Sequence, residues 1–290
     1  MREIMEQACF PRDAVEDLLE KEELLKNKGC WEVLMQLAEE TMEGYPEKNL
    51  LNDNLKKAAE WETKTGVSRY TLELFLILRC WEIVRGKYEE QGISMKIYQD
   101  TLKDITYKLL ECRDVYGING TFVGEWYGGF FAMTRFALGR LQFELMPYRG
   151  EEEFSQKGVT VKKGDQVINI HIPSSGPLIK EEVEASLDQA TDFFGKEFSG
   201  KKTAFVMASW LLDKDLMNLL PEGNIKEFVN RFTVLMVGKY PTFVDGWRVF
   251  GSEWTEKYEK LPRRTKLQRA IGDYLQKGGT LGDGYGIFVR

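Results

Sequence analysis

The chain carries one histidine, His171, at the end of a run, Gln166–Ile172, in which polar and apolar residues alternate. A strand there puts Val167, Asn169 and His171 on one face and Ile168, Ile170 and Ile172 on the other. Imidazole titrates near neutrality and suits general-base work; a lone histidine at a strand end also serves as a satisfied structural group. Pro173-Ser-Ser-Gly-Pro-Leu178 follows directly, and then an acidic segment with helical spacing. A Ser/Gly loop entering a helix aims backbone N–H groups and hydroxyls at an anion, and the positive end of the helix dipole favours one there. The same residues also make an ordinary turn. Pro177 supplies no N–H, Glu181, Glu182 and Glu184 crowd the first turn, and Lys180 is the only cation next to the loop in sequence.

Other chemistry is limited by composition. The four cysteines, Cys9, Cys30, Cys80 and Cys112, are widely spaced with no CxxC pair, so buried free thiols are expected and no metal site. A formal charge of −6 opposes general affinity for nucleic acid or an anionic membrane. The first residues are acidic and amphipathic rather than a secretory signal. The most apolar run, around Leu72–Leu78, is broken by Arg79 and Glu82 and is shorter than the ~20 residues a membrane span needs. A cytoplasmic location is expected.

The elements that position these residues change character along the chain. Pro11 opens a helix through Val15, Leu18, Leu19 and Leu25 to Gly29, and Trp31, Leu34, Met35, Ala38 and Met42 form a second stripe. Thr71–Val84 is apolar almost all round, which predicts the buried centre of a bundle. Tyr98, Leu102, Ile105, Leu109 and Cys112 predict one more helix. After Gly117 come Gly-punctuated aromatics (Phe122, Trp126, Tyr127, Phe130, Phe131), which line a pocket or pack as core. Leu141, Phe143 and Leu145 then alternate as a half-buried strand, and Tyr148–Gly164 reads as charged turn material. A helix bears Val183, Leu187, Ala190 and Phe194. Thr203–Met207, Phe232–Val237 and Gly284–Val289 read as strands, and Leu211–Leu220 and Asn224–Arg231 as short helices. The expected fold class is α+β: an all-helical N-terminal domain, 1–120, then a mixed β-sheet domain flanked by helices, 121–290.

GRLQFE (Gly139–Glu144), HIPSSGPL (His171–Leu178), EEVEASLDQATDFF (Glu181–Phe194), SWLL, EGNIKEFVNRF and LPRRTKLQRA resemble a bacterial acyltransferase family. Its members join a helical N-acyltransferase N-terminal domain to a GNAT-like C-terminal domain. The resemblance implies transfer of an acyl group from acyl-coenzyme A or acetyl-coenzyme A to an amine of a small-molecule or peptide acceptor. It implies that Ser174, Ser175 and Gly176 hold the pyrophosphate. Glu144 falls on the strand where such enzymes often carry a base, and His171 is the other candidate. Asn224 stands where members often contact the cofactor, and after Pro-Glu-Gly it is also a good helix N-cap. Arg263, Arg264, Lys266 and Arg269 meet the 3′-phosphate or form a solvated face. The usual thiolate acid is a tyrosine on the helix after the fifth strand. Leu211–Arg231 has none, which leaves Ser209, Tyr240 and Tyr285 as substitutes. A GNAT fold kept only as a ligand-binding or interaction module is the alternative.

Overall fold

The computed structural model describes residues 1–198 and 202–290. It forms two compact units, Met1–Ala137 and Leu138–Arg290. The first holds helices α1 (Arg2–Gln7), α2 (Arg12–Asn27), α3 (Trp31–Met42), α4 (Leu51–Ala59), α5 (Glu62–Thr65), α6 (Arg69–Glu90), α7 (Met95–Leu102), α8 (Asp104–Tyr116) and α9 (Gly128–Phe131).

Ser68 starts α6 by accepting the Tyr70 N–H at 3.3 Å. Lacking a polar face, this helix is the core of its unit: Leu72, Leu74, Phe75, Leu76, Ile77, Leu78, Cys80, Trp81 and Val84 are fully buried. The Trp81 ring meets Tyr98 at 5.9 Å, Tyr127 at 6.5 Å, and Phe130 and Phe131 each at 5.7 Å. The aromatic stretch is therefore core of the helical unit, and the division falls at 137/138 rather than at 120/121. The stretch expected as one helix, Tyr98–Cys112, is two, meeting at Lys103. Cys30, Cys80 and Cys112 are buried, and burial pushes the Cys112 thiol up to about 12. Cys9 departs from that expectation: it is exposed, in the turn after α1, at φ 65°.

Strand β1 (Arg135–Leu138) crosses the division in sequence. The second unit holds β2 (Leu141–Pro147), β3 (Phe154–Gln156), β4 (Val159–Val161), β5 (Gln166–His171), β6 (Ala204–Ser209), β7 (Thr233–Lys239) and β8 (Gly282–Val289). Its helices are α10 (Lys180–Phe193), α11 (Lys214–Leu219), α12 (Asn224–Val229), α13 (Trp247–Phe250) and α14 (Lys266–Gln276). In space the main sheet runs β2-β5-β6-β8-β7, with β5 and β6 parallel and the other neighbours in that series antiparallel. The region read as turn material contains the β3–β4 hairpin, whose Phe154, Val159 and Val161 pack with Tyr148, Val167, Val206, Ile287 and Val289. On the opposite sheet face, Phe205 lies 6.1 Å from Phe143 and stacks on Phe288 at 5.3 Å.

Alternate glycines of β8 let the short helical turn Trp210–Leu212 lie against the strand. A Cβ added at Gly284 would stand 2.1 Å from the Leu212 carbonyl oxygen, a backbone atom with nowhere to swing. Gly284→Ala is expected to cost about 2 kcal/mol through overpacking. Urea unfolding measures it, and an unchanged midpoint would contradict the close approach.

Candidate active site

β2 and β5 pair in a register that sets Gln142 opposite His171 and Glu144 opposite Asn169. Period-2 alternation then puts all four side chains on one face. Toward Met146 and Val167 that face is apolar and joins the core under the hairpin. Toward the C-terminal end of β5 it is polar. There His171 Nε2 lies 3.0 Å from Glu144 Oε2 and 3.0 Å from the Asn169 side-chain amide. The His171 and Glu144 side chains are 18% and 19% exposed, enough cover to strengthen the pair and enough opening for a reactant to approach.

The roles in these contacts follow from the ring's tautomer. An ionised carboxylate only accepts, so in the neutral ring Nε2 carries the proton and donates it to Glu144. It is Asn169 Nδ2 that faces the same ring nitrogen, so beside an Nε2–H the amide would have to be flipped to offer its oxygen. The lone pair lies on Nδ1. A carboxylate set against a histidine is an arrangement that activates nucleophiles on unrelated folds.

The sheet changes beside this pair. β5 and β6 are registered at Ile168↔Phe205 and Asn169↔Val206 and no further, although β5 stays paired with β2 as far as His171 and β6 with β8 as far as Ser209. Ala208, on the His171 face of an interior strand, is exposed. The carboxyl ends of parallel strands that part company are where α/β folds commonly bind ligands.

The Pro173–Leu178 loop leaves β5 at this point and leads to α10. Ser174, Ser175 and Gly176 are exposed and Gly176 has φ 115°, a region glycine alone occupies readily. Lys180 is not the loop's only cation. Arg140 donates from Nη1 to the Pro173 carbonyl at 3.2 Å, from Nη2 to that of Gly176 at 2.5 Å, and from Nε to that of Pro177 at 3.0 Å. Nor do all three acidic residues oppose an anion. Glu184 is paired with Arg231 and with Arg290 at 2.8 Å. Burial would raise its carboxyl, but the two arginines outweigh that and hold it below the usual range. Glu181 and Glu182 remain exposed.

Of the expected site residues, Glu144 and His171 are in contact and Ser174–Gly176 follow three residues on. Asn224 is not the cap: Gly223 is, and Asn224 is the exposed first residue of α12, without a side-chain capping bond. The arginines of the basic cluster brace their own segment. Arg263 pairs with Asp273 at 2.8 Å and Arg264 with Glu253 at 2.9 Å, while Arg269 donates to the Arg263 and Arg264 carbonyls. The hydroxyls are also engaged: Ser209 accepts from Leu211 N–H, Tyr240 donates to Asp283, and half-buried Tyr285 accepts from Arg149 N–H. None of these bonds reaches the His171 pair. Among the described residues no three His, Cys, Asp or Glu side chains are grouped to hold a metal, and no helix is long and apolar enough to cross a membrane.

A helical unit followed by a mixed sheet with flanking helices is the fold of a GNAT-type acyltransferase. Residues 1–133 match the N-acyltransferase N-terminal domain and residues 136–288 the GNAT-like C-terminal domain, so the chain belongs to the N-acyltransferase family that joins the two. Solved structures agree in fold. An acyltransferase in complex with decanoyl-CoA and teicoplanin superposes with a TM-score of 0.75 at 21% identity, over 99% of this chain and 87% of that one. A mutant acyltransferase in complex with octanoyl-CoA gives the same score and identity, over 99% and 86%. No curated protein matches the chain.

Proposed function

We propose that the protein transfers an acyl group from acyl-coenzyme A to an amine of a small-molecule acceptor. The observation that carries this reading is the Glu144–His171 pair at the end of β5, beside the place where β5 and β6 separate. The His171 imidazole takes the proton from the amine as its nitrogen attacks the thioester carbonyl. The C–S bond breaks, the amide forms, and the coenzyme A thiolate leaves and takes up a proton, from the imidazolium or from water with the imidazolium returning its own to solvent. Glu144 fixes the ring and offsets the imidazolium charge that develops. Ser174, Ser175 and Gly176 face the pyrophosphate. The neighbouring acyltransferases, bound to decanoyl-CoA, octanoyl-CoA and teicoplanin, support a thioester donor and a small-molecule acceptor.

Titration calorimetry with acetyl-, octanoyl- and decanoyl-coenzyme A tests the donor, and thiol release with an amine panel tests the reaction. Micromolar binding and acceptor-dependent thiol are expected. No heat with any thioester at millimolar concentration would sink the reading. Binding without thiol release would favour a ligand-binding module, to which the engagement of Ser209, Tyr240 and Tyr285 elsewhere lends weight.

A further inference from the structure

We infer that Arg140 is a positioning residue for the coenzyme A loop: its guanidinium gathers the carbonyls of Pro173, Gly176 and Pro177 on one side and thereby turns the loop's amide donors to the other. The inference rests on the reading that this loop meets the pyrophosphate.

In a trans peptide the C=O of one residue and the N–H of the next point in opposite directions. Carbonyls 173 and 177 are directed at Arg140, so the N–H groups of Ser174 and Leu178 point away from it. The third peptide, Gly176–Pro177, has a carbonyl and no N–H. Its oxygen is the one held at 2.5 Å, so the proline stands where the loop uses only an acceptor. By the same rule an N–H at position 177 would point to the ligand side, so Pro177 costs the cradle one donor there and leaves the amides of Ser174 and Leu178 on that side. Gly176, at φ 115°, lets carbonyls on either side of it converge on one cation.

The cation itself is firmly mounted. Gly139 and Arg140 link β1 to β2, and Gly139 has φ 76°. Ser186 of α10, fully buried, donates to the Leu138 carbonyl and accepts from Leu141 N–H at 3.0 Å, gripping the backbone on both sides of this link. The end of β5, the start of β2 and helix α10 are thus tied together, and Arg140 sets the loop between them. A planar fork with five donors can serve three carbonyls at once, which a lysine ammonium on its flexible stem does poorly.

The test compares wild type, Arg140→Ala and Arg140→Lys in steady-state acyl transfer and in calorimetry with decanoyl-coenzyme A and, separately, coenzyme A. For Arg140→Ala the thioester KM and Kd are expected to rise about tenfold, with kcat and the acceptor KM within about twofold of wild type. Arg140→Lys should recover part of the loss. Ser186→Ala, which loosens the mount, should lower the melting temperature more than Arg140→Ala does. Unchanged thioester KM and Kd in Arg140→Ala, or a fall in kcat and melting temperature with KM unmoved, would overturn the inference while leaving the acyltransferase reading intact. If wild type binds neither decanoyl-coenzyme A nor coenzyme A, that reading fails and takes the inference with it.

Discussion

Replacing His171 with alanine is expected to lower kcat for acyl transfer by roughly 10²–10⁴-fold, the range a positioned general base contributes. The thioester KM should stay within about twofold, because the ring acts on the proton of the amine and not on the donor's phosphates. Glu144→Gln is the informative companion. It keeps the size and the hydrogen bond to Nε2, but a carboxamide offers that nitrogen a donor as readily as an acceptor. The carboxamide then no longer fixes the ring's tautomer, and the imidazolium loses its counter-charge. The expected loss is smaller than for His171→Ala and larger than for Asn169→Ala, since Asn169 contacts the same nitrogen at 3.0 Å without a charge. Single-turnover thiol release, with circular dichroism to verify folding, gives the ranking. Wild-type kcat in His171→Ala, or Asn169→Ala worse than Glu144→Gln, would remove the Glu–His pair from the mechanism.

What the sequence made legible follows from how far each feature reaches along the chain. β5, α10 and the buried helix α6 are written in local spacing, period 2 for one and near 3.6 or all-round apolarity for the others. The fold is visible through them. Glu144 and His171 were each nameable, but not as a pair, because their contact depends on a β2–β5 register across 27 residues. The hairpin between those strands was itself hidden. Its strands are three residues each, within a run of charges, and turn through Lys157 and Gly158 at positive φ. Arg140 was missed for a related reason. It stands 33 to 37 residues before the carbonyls it binds, and nothing in GRLQFE says that its partner is a proline-bounded loop. The aromatic run Phe122–Phe131 shows the opposite failure. Its composition was clear, its destination was not, since only packing decides that Trp81 and not the sheet receives it.

A large pH-dependent stability effect is expected in the helical unit, at Glu73. This residue of α6 sits against Gly124, where an added Cβ would come within 3.2 Å of its Oε2. Burial raises its carboxyl from 4.5 to about 7; Arg69 on the same helix opposes the rise and Glu125 adds to it. An acid whose folded value is raised binds its proton more tightly folded than unfolded. Its contribution is fully present below pH 4.5 and is lost as pH climbs through about 7. At about 1.4 kcal/mol per pH unit, the ceiling on that loss is roughly 3 kcal/mol. Glu73→Gln removes the ionisation and keeps the shape. It should stabilise the protein by roughly 2–3 kcal/mol at pH 8 and by about 1 kcal/mol or less at pH 5. Urea unfolding of both proteins at the two pH values reads the difference. Equal gains at both pH values would mean that Glu73 acts through packing and not through its charge. A loss at pH 8 would mean that the ionised carboxylate is stabilising, which only a cation stronger than Arg69 at this site would allow.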